Sequence, residues 1–87
     1  MDKVAKYKAA AAKYAAQFKI ESQHIIDIAA SVIMTRDGIL PGGNFAQAIV
    51  NNDLNQAVGR ADDECIKYLR FFVAIKNNLG SYEILNG

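Results

Sequence analysis

The chain predicts an all-α fold: a small helical bundle with a long or bent N-terminal helix, two short central helices and a C-terminal helix. Three observations carry this. Apolar residues recur at 3-4 spacing through Val4, Tyr7, Ala11, Tyr14, Phe18, Ile25, Ile28 and Val32, with Glu21 the one polar position of the series. No stretch alternates apolar and polar residues for long enough to make a strand. The single proline, Pro41, and three of the six glycines fall together at Gly38-Ile-Leu-Pro-Gly-Gly43, punctuating a sequence otherwise suited to helix.

The elements follow in order. Residues 1–36 form an N-terminal helical arm whose alanines, Ala9 to Ala12 with Ala15 and Ala16, have high helix propensity and let a neighbour approach closely. As one helix the arm would run for about 50 Å, against a radius of gyration of about 12 Å for a globule of this size. It therefore breaks near Lys19–Ser22, with Ser22 capping a second helix, or projects onto another copy. Gly38 suits a left-handed C-terminal cap and opens a Gly/Pro loop over 37–43. Residues 44–80 hold short helices and a core helix. Asn44, with Gln47 three residues on, reads as a capping box, and Asp53 and Asp62 read as later N-caps. Leu54, Ala57 and Val58 supply a stripe for one short helix. Cys65, Ile66, Leu69, Phe72, Val73 and Ile75 supply one for a buried helix ending near Gly80. Residues 81–87 are a tail whose Tyr82, Ile84 and Leu85 can dock on this chain or a neighbour.

At 87 residues this is one domain with a thin core. One cysteine excludes an internal disulfide, and one histidine without close ligand spacing argues against zinc, so no metal and no cofactor are expected. Self-association is then the remaining source of stability, and a homo-oligomer is expected. Net charge is +1, yet residues 1–19 carry five lysines against Asp2 while the remainder is acidic. A solvated lysine face accounts for this more simply than a nucleic-acid arm does. No span is apolar enough to cross a membrane and no secretory leader is legible, so the cytoplasm is the expected compartment.

Candidate site residues are few. Gly42, Gly43 and Asn44 run into a helix N-terminus, where free N–H groups can meet a phosphate or carboxylate. Arg60 offers a planar fork for the same anion. Both also have structural readings, as a tight turn and as a partner for helix caps. Tyr7 and Tyr14, flanked by Lys8 and other lysines, could stack on bases while pairing with phosphates, though the same tyrosines lie on the packing seam. His24 lacks a nucleophile beside it in sequence. Acidic neighbours raise the Cys65 thiol pKa and leave it unreactive. No catalytic residues, and no enzyme activity, are expected.

The segment from Pro41 to Glu64 resembles a set of small bacteriophage proteins. Their pattern reads Pro-Gly-Gly-Phe, then Ala-Val-x-x-Asn-Asp-Leu, then Ala-x-x-Arg-Ala-Asp-Asp/Glu. Here Asn44 is inserted between glycine and phenylalanine, while Asn52-Asp-Leu54 and Arg60-Ala-Asp62 match as they stand. The likeness covers about residues 38–76. It implies a phage or prophage setting in a host cytoplasm and an accessory role through binding, including antagonism of host defence. The expected mechanism is sequestration of a phosphate-bearing, nucleotide-like small molecule in pockets between subunits. The alternative is inhibition of a host protein through the helical surface, with nucleic-acid binding the least favoured.

Overall fold

The computed structural model describes residues 2–86, and these contain seven helices and no strand. The helices are α1 (Lys3–Gln17), α2 (Gln23–Arg36), α3 (Asn44–Val50), α4 (Leu54–Arg60), α5 (Asp63–Lys67), α6 (Leu69–Asn78) and α7 (Ser81–Asn86). The radius of gyration is 11.8 Å, so no arm projects. The all-α bundle expected from the sequence is what forms.

The N-terminal segment breaks where Ser22 predicted. Ser22 Oγ accepts from the Ile25 N–H and starts α2. Lys19 takes a left-handed conformation (φ 58°), and the Ile20 N–H returns to the Ala15 carbonyl, closing α1. The break also ends the continuous seam. Ala15 and Ile20 are buried at the corner while Phe18 stays half exposed. The same closure recurs twice. Gly38 (φ 71°) sends the Ile39 N–H to Met34, and Asn52 (φ 59°) sends the Asp53 N–H to Ala48. Glycine and asparagine suit that conformation; lysine is the exception.

Helix α2 is the centre of the fold. Ile25, Ala29, Ala30, Val32, Ile33 and Met34 are all buried, as befits a helix with neighbours on several sides. It packs against α1, α3 and α6. The hydrogen bond from Tyr7 near the start of α1 to Asp37 at the end of α2 fixes the pair as antiparallel. Asp53 and Asp62 cap α4 and α5 as expected, accepting from the Gln56 and Cys65 N–H groups.

Three sequence expectations are corrected, and the tail expected to dock does so as a short helix. Gly43, not Asn44, is the N-cap of α3; it makes no side-chain cap, and Gln47 Nε2 instead donates to the Gly42 carbonyl. Of the α4 stripe only Ala57 is buried, because α4 lies at the rim with Leu54 and Val58 facing solvent. The C-terminal helix is interrupted at Tyr68, which turns Phe71 and Phe72 inward and leaves Ile66 and Val73 exposed. The tail is helical. Ile84 is buried and α7 lies on α1, with Lys6 Nζ donating to the Leu85 carbonyl.

Candidate functional site

The glycine turn is built for packing. A Cβ at Gly42 would overlap Thr35 Oγ1 and come within 2.6 Å of Ser31 Oγ and 2.9 Å of Ala46 Cβ. The loop backbone therefore lies against the α2 surface at a distance only glycine allows. Gly43 has open space and an ordinary extended conformation (φ −70°, ψ −178°). The seven-residue α3 that follows offers an anion little dipole. Arg60 does not join this turn: it is exposed, and its one hydrogen bond is a long one from Nε to Gln56 Oε1, 3.5 Å. Gly42, Gly43, Asn44 and Arg60 thus do not converge through any hydrogen bond or ion pair among the described residues.

Of the aromatic candidates, Tyr7 is a core residue at 1% exposure, and its ring offers no free face for stacking. Its hydroxyl donates to Asp37 Oδ2 at 2.7 Å. Burial, together with the Asp37 carboxylate, pushes its pKa up to about 12. Asp37 is in turn gripped by its neighbour Arg36. Nε and Nη2 donate to the two carboxylate oxygens at 2.7 Å, while Nη1 donates to the Lys76 and Leu79 carbonyls at 2.7 and 2.6 Å. The Arg36 guanidinium holds the Asp37 carboxyl below its usual range. Sequence reading missed this knot, whose function is structural: it ties α1, α2 and the end of α6 together.

Tyr14 is half-buried. It is braced by Phe18 and Phe71, with ring centroids 5.2 and 6.0 Å away. Lys8 is exposed. Tyr14 belongs to the wall of a groove of about 820 Å³ between α1 and α7, a size suited to a small-molecule ligand. Lys6 and Lys13 of α1 and Tyr82 and Asn86 of α7 share this wall, with Glu83 its one acid and Ala5, Ala9 and Ala10 leaving room between them. Tyr82 is 78% exposed. The groove was hidden in the sequence because its two walls lie about seventy residues apart; the docked tail creates it.

A second grouping joins residues that the sequence reading treated as isolated. His24, at the start of α2, meets Asp62 and Cys65 at the start of α5. His24 Nε2 lies 2.9 Å from Asp62 Oδ2 and 3.9 Å from Cys65 Sγ. One ligating atom from each residue falls within 4.8 Å of the other two, so these residues could hold a metal ion. The expectation of no metal rested on the lack of close ligand spacing in the sequence, and the fold closes that gap in space. The cap bond from the Cys65 N–H and contacts with His24 and the thiol lower Asp62 to about 2. Burial first, then Asp62, pushes the Cys65 thiol up to about 11. Both Asp62 and Cys65 address the same imidazole nitrogen. A nucleophilic relay needs the acid on one nitrogen and the thiol on the other, so this geometry does not activate a thiolate.

Comparison with known protein families, with curated proteins and with solved structures finds no match to this chain.

Proposed function

We propose that this chain is a small, non-enzymatic binding protein whose ligand is a phosphate-bearing aromatic small molecule of the nucleotide class. The observation that carries the reading is the α1–α7 groove, where Lys6 and Lys13 stand beside Tyr14 and Tyr82. Ammonium groups recognise phosphate as point charges, and tyrosine rings offer planes for a base. This moves the ligand from the Gly42–Asn44 turn and Arg60 to the groove between the first and last helices, and replaces Tyr7 by Tyr82 as the stacking residue. A second copy laid over the open side of the groove would enclose the ligand, which is the role we assign to self-association. The likeness of Pro41–Glu64 to small phage proteins supports a setting in which such a ligand is a host signal removed by sequestration.

The groove is tested by titrating the protein with mono- and cyclic nucleotides while following calorimetric heat. Saturable binding lost in Lys13→Glu and Tyr82→Ala supports the reading; these exposed positions contribute little to the core. No heat with any nucleotide overturns it.

One observation favours a second reading, inhibition of a host protein through the helical surface. Leu54 and Val58 on α4 and Val73 on α6 are exposed, and a shallow cavity of about 170 Å³ lined by Leu54, Ala57, Leu69 and Val73 lies between these helices. A partner helix could seat an apolar anchor there. Leu54→Asp would abolish capture of such a partner and leave nucleotide binding untouched.

A further inference from the structure

We propose that His24, Asp62 and Cys65 form a three-ligand site for a divalent cation of the zinc class, with its fourth coordination position open to solvent. The donor set is an imidazole nitrogen, a carboxylate oxygen and a thiolate, the mixture that zinc accepts and that magnesium and calcium do not.

The geometry fits. With Zn–S of about 2.3 Å and Zn–N and Zn–O of about 2.0 Å, tetrahedral coordination requires an N···O edge of about 3.3 Å and an N···S edge of about 3.5 Å. The corresponding separations are 2.9 and 3.9 Å. These two edges are reached by side-chain shifts of about 0.4 Å; the third, from the Asp62 carboxylate to Cys65 Sγ, lies within 4.8 Å and has to close toward about 3.5 Å by rotation of the Asp62 side chain. The exposed His24 ring and Asp62 carboxylate have room for that adjustment.

Asp62 is held for the task. Its Oδ1 accepts the Cys65 N–H at 2.8 Å as the cap of α5, which leaves Oδ2 directed at His24. Cys65 is buried beneath the pair, while the side chains of His24 and Asp62 are 51% and 56% exposed. An ion seated among them has protein on the sulfur side and water on the other. That arrangement leaves room for one further ligand from solvent, a bound molecule or a second copy of the chain.

When the ion binds, the Cys65 S–H bond breaks, sulfur keeps the electron pair to bond the metal, and the proton passes to solvent. His24 Nε2 likewise gives up to solvent the proton it shares with Asp62, the ring carrying its proton on Nδ1 instead, and two metal bonds replace the His24–Asp62 contact. The ion then clips the start of α2 to the start of α5, across nearly forty residues of chain. Because unfolded chain lacks the assembled site, binding also stabilises the fold.

The experiment adds Co²⁺, then Zn²⁺, to reduced, tag-free full-length chain. One Co²⁺ per chain should bind with a thiolate-to-cobalt charge-transfer band, Zn²⁺ should displace it, and Zn²⁺ should raise the melting temperature. His24→Ala and Cys65→Ser should each weaken binding by more than the about 10–100-fold that loss of an outer partner costs. His24 is exposed, so His24→Ala keeps the fold, and circular dichroism of both variants confirms it. Asp62→Asn retains a capping oxygen and should lose affinity while keeping helix content. Absence of the band, or a band that persists in folded His24→Ala, overturns the site.

Discussion

Arg36→Met is the perturbation that strikes the fold hardest outside its apolar core. It removes four hydrogen bonds, two to Asp37 and two to the carbonyls of Lys76 and Leu79. The Asp37 carboxylate, whose side chain is only 17% exposed, keeps Tyr7 as its remaining hydrogen-bond donor. Stripping one partner from a buried ion pair costs about 3–5 kcal/mol. Since both side chains retain nearly a fifth of their exposure, the lower end, about 3 kcal/mol, applies. A chain of this length has a total stability of about 4–13 kcal/mol, so the variant loses a large part of it. In a domain this small the melting temperature falls by about 12–24 °C. Urea unfolding followed by circular dichroism measures the loss directly, with the midpoint shifting at unchanged slope. Adding Asp37→Asn to Arg36→Met should recover about 1 kcal/mol or more, because no uncompensated charge then remains. A loss under about 1 kcal/mol for Arg36→Met, the value of an exposed pair, would refute the keystone role of this cluster.

Two further outcomes follow from local geometry. Lys19 holds a left-handed conformation that costs an L-residue about 1–2 kcal/mol. Lys19→Gly should therefore stabilise the protein, by about 0.5–1 kcal/mol after the entropy of glycine in the unfolded chain is deducted; a neutral or destabilising result on thermal unfolding contradicts the α1 closure. The Tyr7 phenol keeps its proton up to about 12 in the folded protein and only to about 10 when unfolded. Between those values the unfolded state binds fewer protons, so the contribution of Tyr7 is full below the lower value and falls as pH rises through the upper one. The stability advantage of the native protein over Tyr7→Phe should shrink across that alkaline window, and an advantage that stays constant rules out the buried Tyr7–Asp37 bond.

Much of the architecture was legible because it rests on local chemistry. Ser22, Asp53 and Asp62 announce helix starts through side chains that can accept an N–H, and Gly38 announces a stop through its backbone freedom. Asn44 misled because Gly43, with no capping side chain, took the cap position and moved the helix start by one residue. The apolar stripe of α4 misled because periodicity says which residues share a face, not whether anything covers that face. The candidate site was hardly legible at all. Tyr7 carried the signature of a stacking residue, yet its seam position meant burial, and the seam reading was the correct one. His24 with Cys65, Lys13 with Tyr82, and Arg36 with the end of α6 are separated by roughly forty to seventy residues, distances over which spacing rules say nothing and only tertiary packing decides. The one sequence cue to the groove was the apolar tail at Ile84 and Leu85, which needed somewhere to dock.

The central claim is that the α1–α7 groove binds a nucleotide-like ligand, and thermal unfolding against a nucleotide panel tests it most directly. A ligand at about a hundred times its dissociation constant stabilises the folded state by about 2.7 kcal/mol, which raises the melting temperature of a domain this small by about 10 °C or more. The account predicts such a rise for at least one nucleotide with the native protein, and none with folded Lys13→Glu or Tyr82→Ala. An unchanged melting temperature across the panel at millimolar ligand, or a rise that survives both substitutions, would contradict it.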